Sequence, residues 1–145
     1  MNHDRRKRVE RLVSLRAAAV DAARGALARA VAAFADAERA HRDAAETWQR
    51  RAAESATGHW TSVGDFEASR AHLESLQMHV EAARAAEAQA RELCDSCRHA
   101  VTAANKELKK LESWRDSLVA EELEEARIAD RVASDELAAR LTRDG

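Results

Sequence analysis

The sequence predicts an all-α fold: a long antiparallel two-helix coiled-coil hairpin with an overhanging C-terminal helix. Three observations carry this. The 145 residues contain no proline and only four glycines, so the two strongest helix breakers are nearly absent. Apolar residues recur every seven positions in each half of the chain. The one stretch that breaks both rows holds two of the glycines, Gly58 and Gly64, so a bend belongs there.

The first helix is expected over about residues 4–57. Val13, Val20, Leu27, Phe34, His41 and Trp48 form its a row. Arg16, Ala23, Ala30, Ala37, Ala44 and Arg51 form the d row, mostly alanine, which implies close approach of the partner helix. Asn2 or Asp4 can cap its start. The turn is expected over about 58–64, with Gly58 ending the first helix in a left-handed cap. Ser62-Val63-Gly64-Asp65 reads as a capping box for the second helix, expected over about 65–143.

That helix has its own two rows. Leu73, Val80, Glu87, Cys94, Val101, Leu108 and Arg115 make one; Leu76, Ala83, Ala90, Cys97, Ala104, Leu111 and Leu118 make the other. Beyond Leu118 the frame slips, and Leu123, Ala126, Val132, Leu137 and Leu141 follow a different register. Folding the chain about residue 61 places residue n opposite roughly 122 − n, so that the two rows meet. Leu27 then faces Cys94 and Cys97, and His41 faces Val80. Each arm is about 75 Å long, and the second helix continues past the start of the first. Glu38/Arg42, Glu46/Arg50, Glu87/Arg91 and Glu136/Arg140 are spaced as i,i+4 ion pairs outside the seam. The whole chain is read as one coiled-coil domain.

Charge and composition narrow the function. With 24 basic against 26 acidic side chains the net charge is −2, which argues against a nucleic-acid binder. No run of about 20 apolar residues exists to span a membrane, and the charged N-terminus has no signal-peptide core. No direct membrane insertion and a cytoplasmic location are therefore expected.

Cys94-Asp95-Ser96-Cys97 is a CxxC, the spacing of redox and half-zinc motifs. It falls mid-helix on the seam rows rather than at a helix N-terminus, where the dipole would activate a thiol. No second CxxC or spaced histidine pair completes a zinc set, and His72 and His79 lie seven apart rather than four. The two thiols read as small core residues, and His41 as a polar seam residue that helps fix register. No nucleophile–base set or phosphate-binding glycine loop occurs, and a two-helix hairpin encloses no pocket. The protein is expected to be no enzyme and to need no cofactor or metal.

Two features remain. Arg5-Arg6-Lys7-Arg8, with Arg11 and Arg16, puts positive charge at a helix N-terminus, where it opposes the macrodipole. Pairing with the acidic stretch Glu121, Glu122, Glu124 and Glu125 is one reading; docking of an acidic partner is the other. His59 and Trp60 in the turn, with Phe66, put aromatics at the tip, as interface anchors or as local packing that closes the hairpin.

The whole chain resembles the FliJ/YscO family, the stalk proteins of flagellar and virulence type III secretion. The resemblance lies in length, in the overhanging hairpin and in two stretches. One runs from His59-Trp60 through Phe66 to His72-Leu73-Glu74-Ser75-Leu76 and Val80. The other is Leu108-Lys109-Lys110-Leu111-Glu112-Ser113-Trp114-Arg115, the acidic run Glu121 to Arg127, and Asp135-Glu136-Leu137-Ala138-Ala139-Arg140. The resemblance implies a non-enzymatic coupling protein, peripheral to the inner-membrane secretion apparatus. It implies that the terminal end enters a hexameric export ATPase and the tip region contacts an export gate protein; some members also bind export chaperones. Carried over by position, the gate-binding residues would be His72, Leu76, His79 and Ala83, where the family has an aromatic in place of His72 and a histidine in place of Ala83. The ATPase-binding residues would be Arg5, Arg6, Lys7, Arg8, Arg11, Arg127, Arg131 and Arg140, and the tip His59, Trp60 and Phe66. A generic coiled-coil adaptor or scaffold, monomeric or dimeric, is the alternative, and an enzyme or redox protein using Cys94 and Cys97 a second.

Overall fold

The structure, a computed structural model, describes residues 2–144, with side chains from His3 onward. Two helices make up an all-α hairpin: α1, Asn2–Thr57, and α2, Val63–Asp144. No strand occurs among the described residues. Asp4 lies inside the first turn of α1 rather than capping it, and its carboxylate there suits the positive end of the dipole. The side chain of Asn2, the other candidate cap, lies outside the described residues.

The bend corrects one expectation and refines another. No glycine among the described residues has a positive φ, so Gly58 does not form a left-handed cap. Its use is space: a Cβ there would stand 3.2 Å from the Glu54 carbonyl oxygen. The Thr57 hydroxyl donates back to the Ala53 and Glu54 carbonyls, each at 3.3 Å. Ser62 caps α2, its Oγ accepting the Asp65 amide at 3.1 Å, while its carbonyl accepts the Phe66 amide at 3.2 Å. The Asp65 carboxylate does not complete the box, because it accepts the Thr61 hydroxyl instead. Residue 62 as cap starts α2 at Val63, two residues before the expected boundary.

The core is a seam. The buried apolar side chains are Val9, Val20, Ala30, Val80, Cys94 and Leu118. Five lie on the rows read from the sequence, and Val9 extends the d row one heptad toward the N-terminus. All fourteen row positions of α2 are half-buried or buried, including the polar Glu87 and Arg115. On α1 only Arg16 and Arg51 among the row positions are exposed, their charges turned to solvent.

Partners across the seam differ from those expected. His41 Nδ1 lies 2.5 Å from Glu87, seven residues past Val80. Ser55 and Ser69 bond at 3.0 Å, and the Arg91 guanidinium sits 5.4 Å over the Phe34 ring. Each α2 partner has a higher number than the fold line gave, least for the two short serines and most for His41 with Glu87. The cause is the lean of helical side chains toward their own N-terminus. In an antiparallel pair, α1 side chains lean away from the bend and α2 side chains toward it. Long side chains therefore meet partners displaced along α2.

Cross-seam contacts also redirect charges. Glu87 is taken by His41 and Arg91 by Phe34, so the expected Glu87/Arg91 pair does not form. The other three expected i,i+4 pairs are not closed either. Charges on each helix pair mainly at i,i+3, as in Glu107/Lys110 at 3.4 Å and Glu124/Arg127 at 2.7 Å.

The described chain falls into two compact units. One comprises residues 2–22 and 102–144, the other Ala23–Val101.

Candidate partner-binding surfaces

In the unit formed by residues 2–22 and 102–144, the basic residues from Arg5 to Arg11 separate into one structural residue and four open ones. Arg6 is half-buried, and its Nη1 lies 3.0 Å from the Glu122 carboxylate, with Glu10 3.7 Å from its Nε. Part of the cluster thus pairs with the acidic stretch, through Glu122. Arg5, Lys7, Arg8 and Arg11 are exposed and, among the described residues, have no carboxylate within ion-pair distance. A shallow groove of about 570 Å³ runs on the outer flank of α1, lined by Lys7, Glu10, Arg11, Ser14 and Leu15. Leu15 forms part of it, and Leu12 is also exposed; both lie off the a and d rows.

Burial on α2 stops at Glu122, and every described residue from 123 to 144 is exposed. Leu123, Ile128, Val132, Leu137 and Leu141 stand 49–68% open to solvent. Arg131 and Arg140 are exposed, whereas Arg127 is engaged by Glu124 through two hydrogen bonds, of 2.7 and 3.0 Å. The bond from Arg127 holds the Glu124 carboxyl below its ordinary value, and Glu124 in turn raises the Arg127 guanidinium. This unit therefore offers two different faces: a basic flank on α1, and a helix with uncovered leucines on α2.

In the unit Ala23–Val101, the four candidate gate-binding residues divide. Leu76 and Ala83 are half-buried on the seam, while His72 and His79 are exposed beside it. A groove of about 150 Å³ brings His72 and Leu76 together with Arg50 and Arg51. His79 and Ala83 do not line it. At the bend, Trp60 and Phe66 meet edge to face, centroids 5.6 Å apart at 84°. The local-packing reading of the tip aromatics holds in part. The rings pack on one another, yet each keeps more than two fifths of its surface open. A groove of about 340 Å³ opens beside them toward Arg70 and Leu73. Val63, 74% exposed, joins this apolar tip, and sequence reasoning missed it. His59 is exposed.

Cys94 is buried, 3% exposed, and Cys97 half-buried; both are free thiols on the seam rows. Among the described residues no group of three or more His, Cys, Asp or Glu side chains is placed to hold a metal ion. Among the described residues, no helix is long and apolar enough to cross a membrane.

The sequence model of one protein family, described as flagellar FliJ protein, matches residues 5–145. No curated protein and no solved structure matches the chain.

Proposed function

Because the chain belongs to the FliJ family of the flagellar export apparatus, we propose that it is a non-enzymatic central stalk protein of that apparatus, coupling a hexameric export ATPase to an export gate. The observation that carries this is the family match along residues 5–145, which takes in both helices and the bend. The distribution of exposed chemistry supports it. The ATPase-binding surface is the unit holding Arg5, Lys7, Arg8 and Arg11 on α1 and residues 123–144 on α2. Unpaired guanidinium and ammonium groups there suit carboxylates lining a ring pore, and the uncovered leucines suit an apolar sleeve. Arg6 and Arg127, already engaged by Glu122 and Glu124, help hold the helices rather than reach outward.

The gate-binding surface is His72 and His79 with the exposed edges of Leu76 and Ala83, and the apolar tip at Trp60, Val63 and Phe66 adds a second foothold. The histidines are the reaching groups, because the other two give most of their area to the seam. The protein acts in the cytoplasm, peripheral to the membrane-embedded apparatus, and export chaperones are further partners. In this role the protein is non-enzymatic, and the two thiols serve as seam residues.

The test is stimulation of the purified export ATPase by this chain. Arg5→Glu/Lys7→Glu/Arg8→Glu is expected to abolish stimulation with helicity unchanged. His72→Ala/His79→Ala is expected to leave stimulation intact and to lose capture of the gate protein's cytoplasmic domain. No effect of the native chain on the ATPase would overturn the stalk reading.

A further inference from the structure

Residues 123–144 of α2 are exposed all round, yet they carry five large apolar side chains. The stretch is also acidic, with six Asp or Glu against four Arg. Residues 3–22 of α1, in the same unit, have the opposite balance, with six Arg or Lys against three Asp or Glu. Their outer flank carries Leu15 and the groove beside Lys7 and Arg11. The two surfaces thus match in charge and in apolar content. They also match in length, each spanning about 30 Å of helix. Within one chain they cannot cover each other. The Arg6–Glu122 pair fixes where α1 starts against α2, and from there the two stretches run in opposite directions.

A second copy removes that obstacle. We propose that the free protein forms a two-fold dimer in which residues 130–144 of each copy lie along the basic flank of α1 in the other. A two-fold axis about 8 Å beyond the Arg6–Glu122 pair, level with about residue 127, sets Asp135 level with Arg8 and Leu141 level with Ser14 and makes both contacts at once, so the interface closes without leaving a sticky end. Each 130–144 stretch then runs antiparallel to the other copy's α2 and adds a third helix beside its α1. Leu137 and Leu141 leave water, and Asp130, Asp135 and Glu136 approach Lys7, Arg8 and Arg11. The dimer does not rest on the stalk reading, but it bears on it. It covers the same faces assigned to the ATPase, so self-pairing and ATPase engagement exclude one another.

Sedimentation equilibrium of the full chain tests this. The native chain is expected to show a reversible monomer–dimer equilibrium that weakens as salt rises. Leu137→Asp/Leu141→Asp changes only exposed side chains, and is expected to weaken pairing by at least about tenfold with helicity unchanged. Lys7→Glu/Arg11→Glu is expected to weaken it similarly, as is Asp130→Lys/Asp135→Lys. Mixing these last two variants is expected to restore pairing, since the heterodimer places opposite charges together at both contacts. A native chain that stays monomeric at every concentration overturns the proposal. So does a dimer that all three variants leave unchanged, or a mixture that does not recover.

Discussion

Leu118 and Leu123 lie five residues apart on α2, and replacing each with alanine should have very different consequences. Leu118 is 3% exposed and Leu123 67%. Truncating Leu118 removes three buried carbons, worth about 0.8 kcal/mol each, or roughly 2.4 kcal/mol of transfer free energy. A residual cavity adds to this in a thick core, where Leu→Ala costs about 2–5 kcal/mol. The seam is only two helices wide, so the flanking side chains can close over the gap and the cavity term stays small. We expect a loss of about 2–3 kcal/mol for Leu118→Ala and less than about 0.5 kcal/mol for Leu123→Ala. Urea unfolding followed by circular dichroism gives both values. Amide exchange should localise the Leu118→Ala effect to residues 2–22 and 102–122, which share its unit. Equal losses from the two variants would refute the reasoning, because they would mean that α2 stays packed beyond Glu122.

Four further outcomes follow from named contacts. Gly25→Ala, where a Cβ would meet only the Arg29 guanidinium at an ordinary 3.5 Å, should stabilise α1 by about 1 kcal/mol in the same urea assay. Ser62→Ala should cost about 1 kcal/mol by orphaning the Asp65 amide, and Ser62→Asp should recover most of it. A double-mutant cycle on His41→Ala and Glu87→Ala should give a coupling of about 0.5–1.5 kcal/mol, and additivity would show the pair to be idle. The Glu124 carboxyl should titrate by carbon NMR below the ordinary glutamate range. Its pairing with Arg127 is then present at neutral pH and lost only as pH falls through that lowered value; Arg127→Ala should return it to the ordinary range.

The seam was legible because side-chain period and burial are the same fact seen twice. Val20, Ala30, Val80, Cys94 and Leu118 are apolar at seven-residue spacing, and they are the side chains that leave water. The slip after Leu118 likewise announced the uncovered stretch, since leucines off the rows, such as Leu123, have no opposing helix. Partners across the seam were not legible to the same degree. The fold line treats side chains as if they projected at right angles, and the lean toward each helix's N-terminus moves the partner of His41 from Val80 to Glu87. His41 and Glu87, polar residues inside the seam rows, could have indicated that pairing. Gly58 misled because glycine after a helix has two uses, a positive φ or a close approach, and composition does not separate them. The basic cluster was visible as an oddity against the macrodipole. Which of its members is spent internally depends on Glu122 facing Arg6, a relation between residues more than a hundred apart. The tip was legible in its aromatics but not in Val63, which belongs to no period.

The account depends on α1 and α2 closing on each other within one chain, with the start of α1 lying against α2 upstream of residue 123. Spin labels at Ser14→Cys and Lys110→Cys, both exposed and in one unit, report on this directly once Cys94 and Cys97 are replaced by alanine. Helix axes in contact lie about 8–10 Å apart, so with the label arms the distance should peak at roughly 20–30 Å. That peak should survive dilution with unlabelled chain. A distribution that broadens far beyond that range, or a peak that vanishes on dilution, would mean that α1 pairs with another molecule or with none, and the closed hairpin would be wrong.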